Sequence, residues 1–413
     1  MTTPLTELKD ATSTGPQARQ GPGKLVLLLV SLAFCVVLFL TLDWFHTARL
    51  HRNHKPATPP DSCQMLDPVR HHVFKPNCSS TEYWGTDSFK VFTNSLGFRD
   101  NKVRDVPLAD PRPRLLLLGD SHLEAKIAWS RSFAGIIAAQ LPQYDFLNGG
   151  LSGYSPSNYF NTTRLLLDKG YRIDEVIVFL DNSAVQLESG FYRDIDAAGD
   201  VAGIPQEQKQ SAATWYANLR AFAGRHLQLT YGFLRQLDRV QRKFVLRGFY
   251  HLPGDFFGDP FDPEFSAWSY RKVDETDRFP AGYAPLGVDG GIAKAQAKMT
   301  QLYELLRQDD IPISVVVYPH LAQLVHDTAE SRQVRLWRDW CEGRCKRFIS
   351  VFPEFYAVKD KCPPSQTGCW YPALFVYGDI HYAAGGNALV AGAVIASLTQ
   401  EPPVKISNAA APK

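Results

Sequence analysis

The 413-residue chain has no excess of one charge: 44 Lys and Arg stand against 42 Asp and Glu, which leaves +2. It also lacks any long basic block, so nothing electrostatic favours nucleic acid as a partner. Glycine (29) and proline (28) are ordinary for this length, which excludes collagen-like and low-complexity architectures. There is no internal repeat. What is present is 45% hydrophobic and 21% charged residues, enough to bury a sizeable core and to exclude wholesale disorder.

The apolar residues are unevenly spread. Leu25 to Leu42 (LVLLLVSLAFCVVLFLTL) is an uncharged run, extendable past Asp43 through Trp44 and Phe45. A hydrocarbon core of about 30 Å needs about 20 helical residues, and the two aromatics suit its interfacial belt. All-round apolarity beside a polar tail disfavours a buried core helix. The following TLDWFHTARLHR offers no small-x-small cleavage site, which favours an uncleaved anchor in the lipid bilayer over a signal peptide.

Lys9, Arg19 and Lys24 before the run nearly balance Arg49, Arg52 and Lys55 after it, so cysteine decides the side. Cys35 lies inside the run. Cys63, Cys78, Cys341, Cys345, Cys362 and Cys369 fall into three short-range pairs, as suits an oxidising compartment. Their irregular spacing and the lack of a nearby His pair argue against zinc, so neither a metal nor a cofactor is expected. The expected order is a cytoplasmic tail (1–24), a single inner-membrane helix (25–45), a linker (46–61), a periplasmic domain (62–400) and a tail (401–413).

From Arg114 onward, short apolar runs alternate with amphipathic stretches, the signature of a β-α fold. Strands are predicted at 114–118, 144–148, 175–180, 313–318 and 347–352. Helices are predicted at 133–141, 155–169, from Ile292 to Leu306, and at 383–398. Residues 183–290, rich in aromatics, glycine and proline, read as an insertion covering the site, with a helical stretch near 216–244. Trp215, Trp268, Tyr250 and Tyr270 in it are candidates for stacking on sugar rings.

In an open parallel sheet, functional groups gather beyond the carboxyl ends of the strands. Gly119-Asp120-Ser121-His122 follows the first strand, without the G-x-S-x-G elbow. Asn148-Gly149-Gly150-Leu151-Ser152-Gly153-Tyr154 follows the second, where glycines let backbone N–H groups approach a neighbouring loop. Asp181-Asn182-Ser183 follows the third, offering an amide to a developing oxyanion. Gly378-Asp379-Ile380-His381 follows the last, setting a carboxylate two residues from an imidazole. Taken singly, these are a helix cap, turn glycines, an Asx-turn and a surface Asp-x-His.

Their order along the chain resembles the SGNH (GDSL-like) hydrolase family, over about Asn94 to Leu398. That resemblance implies a three-layer α/β/α sandwich with a mostly parallel sheet. It implies Ser121 as nucleophile, His381 and Asp379 as base and support, and the Ser121 and Gly153 N–H groups with the Asn182 amide as oxyanion hole. His122, Tyr154, His320 and Tyr382 are then candidate pocket residues. The chain departs from the commoner pattern in Asp181-Asn182-Ser183, where many members have Gly-Asn-Asp, and in the short Asp-x-His spacing. The latter is similar to members that acetylate bacterial exopolysaccharides. The implied activity is ester hydrolysis or O-acyl transfer on an ester-bearing glycan, with a polytopic membrane partner if acyl groups are transferred. Lipid or small-ester hydrolysis, or non-catalytic glycan binding on the same fold, are the alternatives. Asn94 to Asp100 (NSLGFRD) resembles a segment preceding the serine block in membrane-associated members, and Arg99 there reads as a structural clamp.

Overall fold

The computed structural model describes residues 23–53, 63–84, 87–191, 226–227, 229–230, 264–270, 283, 285–363, 369–376 and 379–400. It divides into two units: residues 1–55 with 215–237, and residues 56–214 with 238–413.

The first unit holds helix α1 (Gly23–Asn53). Within it, Val26–Arg49 is long and apolar enough to cross a membrane, with a mean hydropathy of 2.7 and only 6% of the window buried. The helix runs past the expected boundary at residue 45, so the first part of the proposed 46–61 linker is helical. Asp43 is the one acidic residue of this helix, and it is fully buried. Its carboxylate accepts from the Leu229 and Thr230 amides at 2.9 and 2.7 Å and from the Thr230 hydroxyl at 2.6 Å. A carboxylate removed from water needs such donors.

The second unit begins with a small hairpin, β1 (Gln64–Asp67) and β2 (His71–Phe74). The main sheet has eight strands. Three are β3 (Ser79–Trp84), β4 (Asp87–Thr93) and β5 (Arg99–Asp100), which pair antiparallel at one edge. The rest are β6 (Arg114–Leu118), β7 (Asp145–Asn148), β8 (Glu175–Leu180), β9 (Ile313–Val317) and β10 (Arg347–Ser350), which run parallel. The order is β10-β9-β8-β6-β7-β5-β4-β3. The chain leaves β6 to one side for β7 and returns to the other side for β8, so the topological switch lies at the carboxyl end of β6.

Period-two alternation sorts the strand side chains into two layers. Leu116, Leu118, Val176, Val178, Val315 and Val317 pack on one face with Tyr159, Leu166, Met299, Leu302 and Leu306. These last belong to the helices Pro156–Asp168 and Gly287–Arg307. Leu115, Leu117, Ile177, Phe179 and Val316 pack on the other face with Phe133, Ile137, Val390 and Val394, from the helices Phe133–Gln140 and Ala384–Thr399. The result is an α/β/α sandwich with a mostly parallel sheet. The helix Pro156–Asp168 starts as its sequence dictates, with Ser155 in a capping box and proline in the first turn.

Three differences from the sequence reading stand out. Residues 63–100 supply strands where none was predicted, because short antiparallel edge strands carry little alternation. The last strand ends at Ser350 rather than Phe352, since Pro353 opens a helix over Phe352–Asp360. That helix and Tyr371–Leu374 intervene before Asp379, so the Asp-x-His loop does not directly follow a strand. The helical stretch expected near 216–244, with Trp215 and Tyr250, lies almost wholly outside the described residues, as does Gly378. The cysteines pair as Cys63–Cys78, Cys341–Cys345 and Cys362–Cys369, with Cys35 free.

Candidate active site

Ser121 opens a one-turn helix (Ser121–Glu124) directly beyond β6, with Asp120 as its cap: Asp120 Oδ1 accepts from the His122 amide at 2.8 Å. The turn is tight at Gly119, where a Cβ would meet Leu123 Cβ at 2.9 Å and Phe179 Cβ at 3.1 Å. Ser121 is half-buried, whereas His122, Leu123 and Glu124 are buried. The turn therefore presents one hydroxyl and hides its neighbours.

The far end of that turn is held by a residue from the antiparallel edge. Arg99, 1% exposed, donates to the Glu124 and Ala125 carbonyls and to that of Ile127 at 2.6 Å. Ala125 sits at φ +66°, a costly conformation for a residue with a Cβ. Replacing Arg99 by Met keeps the aliphatic packing but strands three buried carbonyls. A loss on the order of 3 kcal/mol is expected in urea unfolding, and a loss under about 1 kcal/mol would mean that these bonds do not hold the turn.

The Asp-x-His loop meets this turn. His381 Nε2 lies 2.8 Å from Ser121 Oγ, and His381 Nδ1 lies 2.9 Å from Asp379 Oδ1. Asp379 also accepts from the Ile380 amide at 2.6 Å, and its other oxygen accepts from the Trp84 indole N–H. The Trp84 ring meets His381 edge-on at 5.2 Å between centroids. Burial works to raise the Asp379 pKa, but the charge and hydrogen bond of His381 and the Trp84 donor outweigh it and hold the carboxyl down to about 2. Burial lowers the His381 pKa below the ordinary 6.5, with Asp379 opposing only in part. With Nδ1–H fixed on the carboxylate, Nε2 is left to accept a proton from the hydroxyl.

Trp84 has no counterpart in the sequence reading, because it arrives from an edge strand far upstream. Trp84→Phe removes one donor from Asp379 and uncovers the edge of His381. Both changes favour the imidazolium, so the acid limb of the rate–pH profile should move upward. A limb left in place would make Trp84 packing alone.

The loop after β7 is tied to the same turn. The Leu151 amide donates to the Gly119 carbonyl at 3.2 Å, and the Ser152 amide donates to Glu124 Oε2 at 2.6 Å. Burial tends to raise the Glu124 pKa, but Lys126 and Ser152 outweigh it and keep it low. Gly153 adopts φ +77°, as its lack of a side chain permits. Gly150 lets this loop close over the turn, since a Cβ there would meet Leu123 Cγ at 2.5 Å.

Asn182 stands beyond β8, fully buried, and neither Nδ2 nor Oδ1 has a hydrogen-bond partner. Its backbone carbonyl accepts from Trp268 Nε1 at 2.8 Å. Trp268 is 1% exposed, so it is a core residue rather than the sugar platform its composition suggested. Tyr270 packs on the His326 ring at 5.2 Å.

The four expected pocket residues are buried instead. Tyr154 donates to the His72 carbonyl and Tyr382 to the Pro319 carbonyl, both at 2.6 Å. His122 packs among Tyr382, His320 and His381, with centroids at 4.7, 4.9 and 5.1 Å. His320 Nε2 pairs with Asp181 Oδ2 at 2.8 Å. Burial tends to raise the Asp181 pKa, but the His320 partner outweighs it and holds the carboxyl low, while burial and Asp181 push Asp120 up. Sequence reasoning treated Asp120 as a cap and gave Asp181 no role of its own, since His320, which pairs with Asp181, is 139 residues away.

No protein family and no curated protein matches the chain. Among solved structures it is similar to TesA, at 11% identity and a TM-score of 0.34, covering 70% of this chain and 99% of that one. A lipolytic G-D-S-L family protein from Veillonella parvula aligns at 10% identity and 0.35, covering 70% and 99%. AlinE4, an SGNH-hydrolase family esterase, aligns at 14% and 0.29, covering 71% and 99%. Two of these three solved structures, the Veillonella parvula protein and AlinE4, are of the G-D-S-L and SGNH-hydrolase families.

Proposed function

We propose that the chain is a membrane-anchored serine esterase or O-acyltransferase working on ester groups, O-acetyl above all, of envelope or secreted glycans. One observation carries this reading: the unbroken relay from Asp379 through His381 to Ser121 Oγ, with contacts of 2.9 and 2.8 Å. Ser121 attacks the ester carbonyl while His381 takes its proton. The tetrahedral oxyanion is received by the backbone N–H groups of Ser121 and Gly153 and by the Asn182 amide. His381 then protonates the departing alcohol, and water or a sugar hydroxyl resolves the acyl-serine.

The apolar helix and the three disulfides support an inner-membrane anchor with a cytoplasmic N-terminus and an extracytoplasmic body. Such a body meets glycan rather than cytosolic esters. Transfer, if that is the reaction, needs an acyl donor delivered across the bilayer, a task for a polytopic partner.

Acetate release from an acetylated glycan, measured with and without an unacetylated acceptor, tests the proposal. Release, or its diversion onto the acceptor, supports it. Neither, from folded protein, refutes it. Because His381 must be neutral to accept the proton, kcat/KM falls as pH drops, and the midpoint of that acid limb should lie below the ordinary histidine value of 6.5. A midpoint above it would mean that His381 is not desolvated during turnover.

A further inference from the structure

Behind the Ser121 turn lies a second polar cluster that the acyl-transfer relay does not use. Asp120 and His122 flank the serine, Asp181 is the first residue after β8, and His320 follows β9. Their exposures are 3%, 3%, 4% and 0%. One donor atom each from His122, Asp181 and His320 lies within 4.8 Å of the others, and Asp120 Oδ1 is 3.6 Å from His122 Nδ1.

The charges of this cluster do not balance as a set of neutral rings and ionised carboxylates. Among the described residues no lysine or arginine pairs with Asp120 or Asp181; their ion-pair partners are His122 and His320. Two buried carboxylates without a cation are strongly disfavoured. His122 sharpens the problem. Its Nε2 lies 3.2 Å from the Ile380 carbonyl, which only accepts, so Nε2 carries the proton. In the neutral ring Nδ1 then holds a lone pair, and this atom is buried without a hydrogen-bond partner, facing a carboxylate oxygen. Either a proton held by one of these groups or a metal ion must lie between them.

The donors are two imidazoles and two carboxylates, and each carboxylate is already oriented from outside. The Tyr318 hydroxyl lies 3.1 Å from Asp120 Oδ1, and the Ser183 hydroxyl 2.6 Å from Asp181 Oδ1. Such outer bonds, with the Ile380 carbonyl on the ring N–H of His122, are what hold metal ligands in place. We propose that Asp120, His122, Asp181 and His320 bind one divalent transition metal ion of the zinc class, tying together the ends of β6, β8 and β9 beneath the serine turn. Binding draws the donors in to about 2.0–2.2 Å of the ion, and the single ring proton of neutral His320 moves from Nε2 to Nδ1, which has no hydrogen-bond partner, as Nε2 becomes a ligand. Ser121 is not a ligand, and the role is structural. Spacing along the chain conceals such a site, since Asp181 and His320 are 139 residues apart.

The test is the metal content of the full-length protein, purified in detergent on a tag without histidine and without chelator. About one zinc per chain is expected. After removal of zinc, added Co2+ should give the visible d–d bands of a four-coordinate site. His320→Ala should lose both signals. Substoichiometric metal in the wild type, with no bands on adding Co2+, overturns the proposal and gives the positive charge to a proton on His122. Full metal content in folded His320→Ala overturns it as well, by placing the ion elsewhere. Should that variant not fold, the wild-type zinc and cobalt measurements decide alone. None of these readouts depends on ester turnover.

Discussion

Ser121→Ala should lower turnover of an acetyl ester by about ten-thousand-fold or more, with little change in thermal stability. The expectation follows from what the hydroxyl touches. Ser121 is half-buried at the head of a one-turn helix, and its described side-chain hydrogen bond is to His381. Deleting the oxygen therefore removes a nucleophile but little packing. Were the serine only a polar cap beside a buried histidine, activity would survive and the loss would be a stability effect of about 1 kcal/mol. Steady-state kinetics with a melting curve on the same sample separates the two.

Asn182→Ala should cost about 100- to 1000-fold in kcat, with KM much less affected and with a melting temperature unchanged or higher. The pairing of those outcomes is the informative part. Both polar atoms of the amide are buried without a partner, a cost of about 1–3 kcal/mol to the folded state that alanine relieves. A donor held ready for an oxyanion that forms only during reaction has this profile. A marked drop in melting temperature with turnover intact would instead make Asn182 a structural residue.

The sequence revealed the parallel half of the sheet because its strands are buried on both faces and read as continuous apolar runs. Arg114–Leu118 and Glu175–Leu180 are cases in point. It pointed to Ser121 and Asn182 because the ends of parallel strands are where side chains converge, and to Asp379-Ile380-His381 through the carboxylate–imidazole spacing, although helices separate that loop from the last strand. The antiparallel edge stayed hidden, and with it Trp84's donation to Asp379 and the carbonyls that Arg99, legible as a clamp, takes hold of, because these contacts join segments distant along the chain. Burial was misjudged for the same reason. Tyr154, Tyr382, His122 and His320 carry polar atoms that suggest a pocket, yet the two hydroxyls and the two Nε2 atoms meet carbonyls or a carboxylate inside the core.

The most direct test of the reaction chemistry is fluorophosphonate labelling of detergent-purified protein, followed by mass-spectrometric mapping of the modified residue. The relay of Asp379, His381 and Ser121 predicts a single adduct on Ser121, greatly slowed in His381→Ala. A well-folded protein that takes no label, or takes it on another serine, would contradict the account.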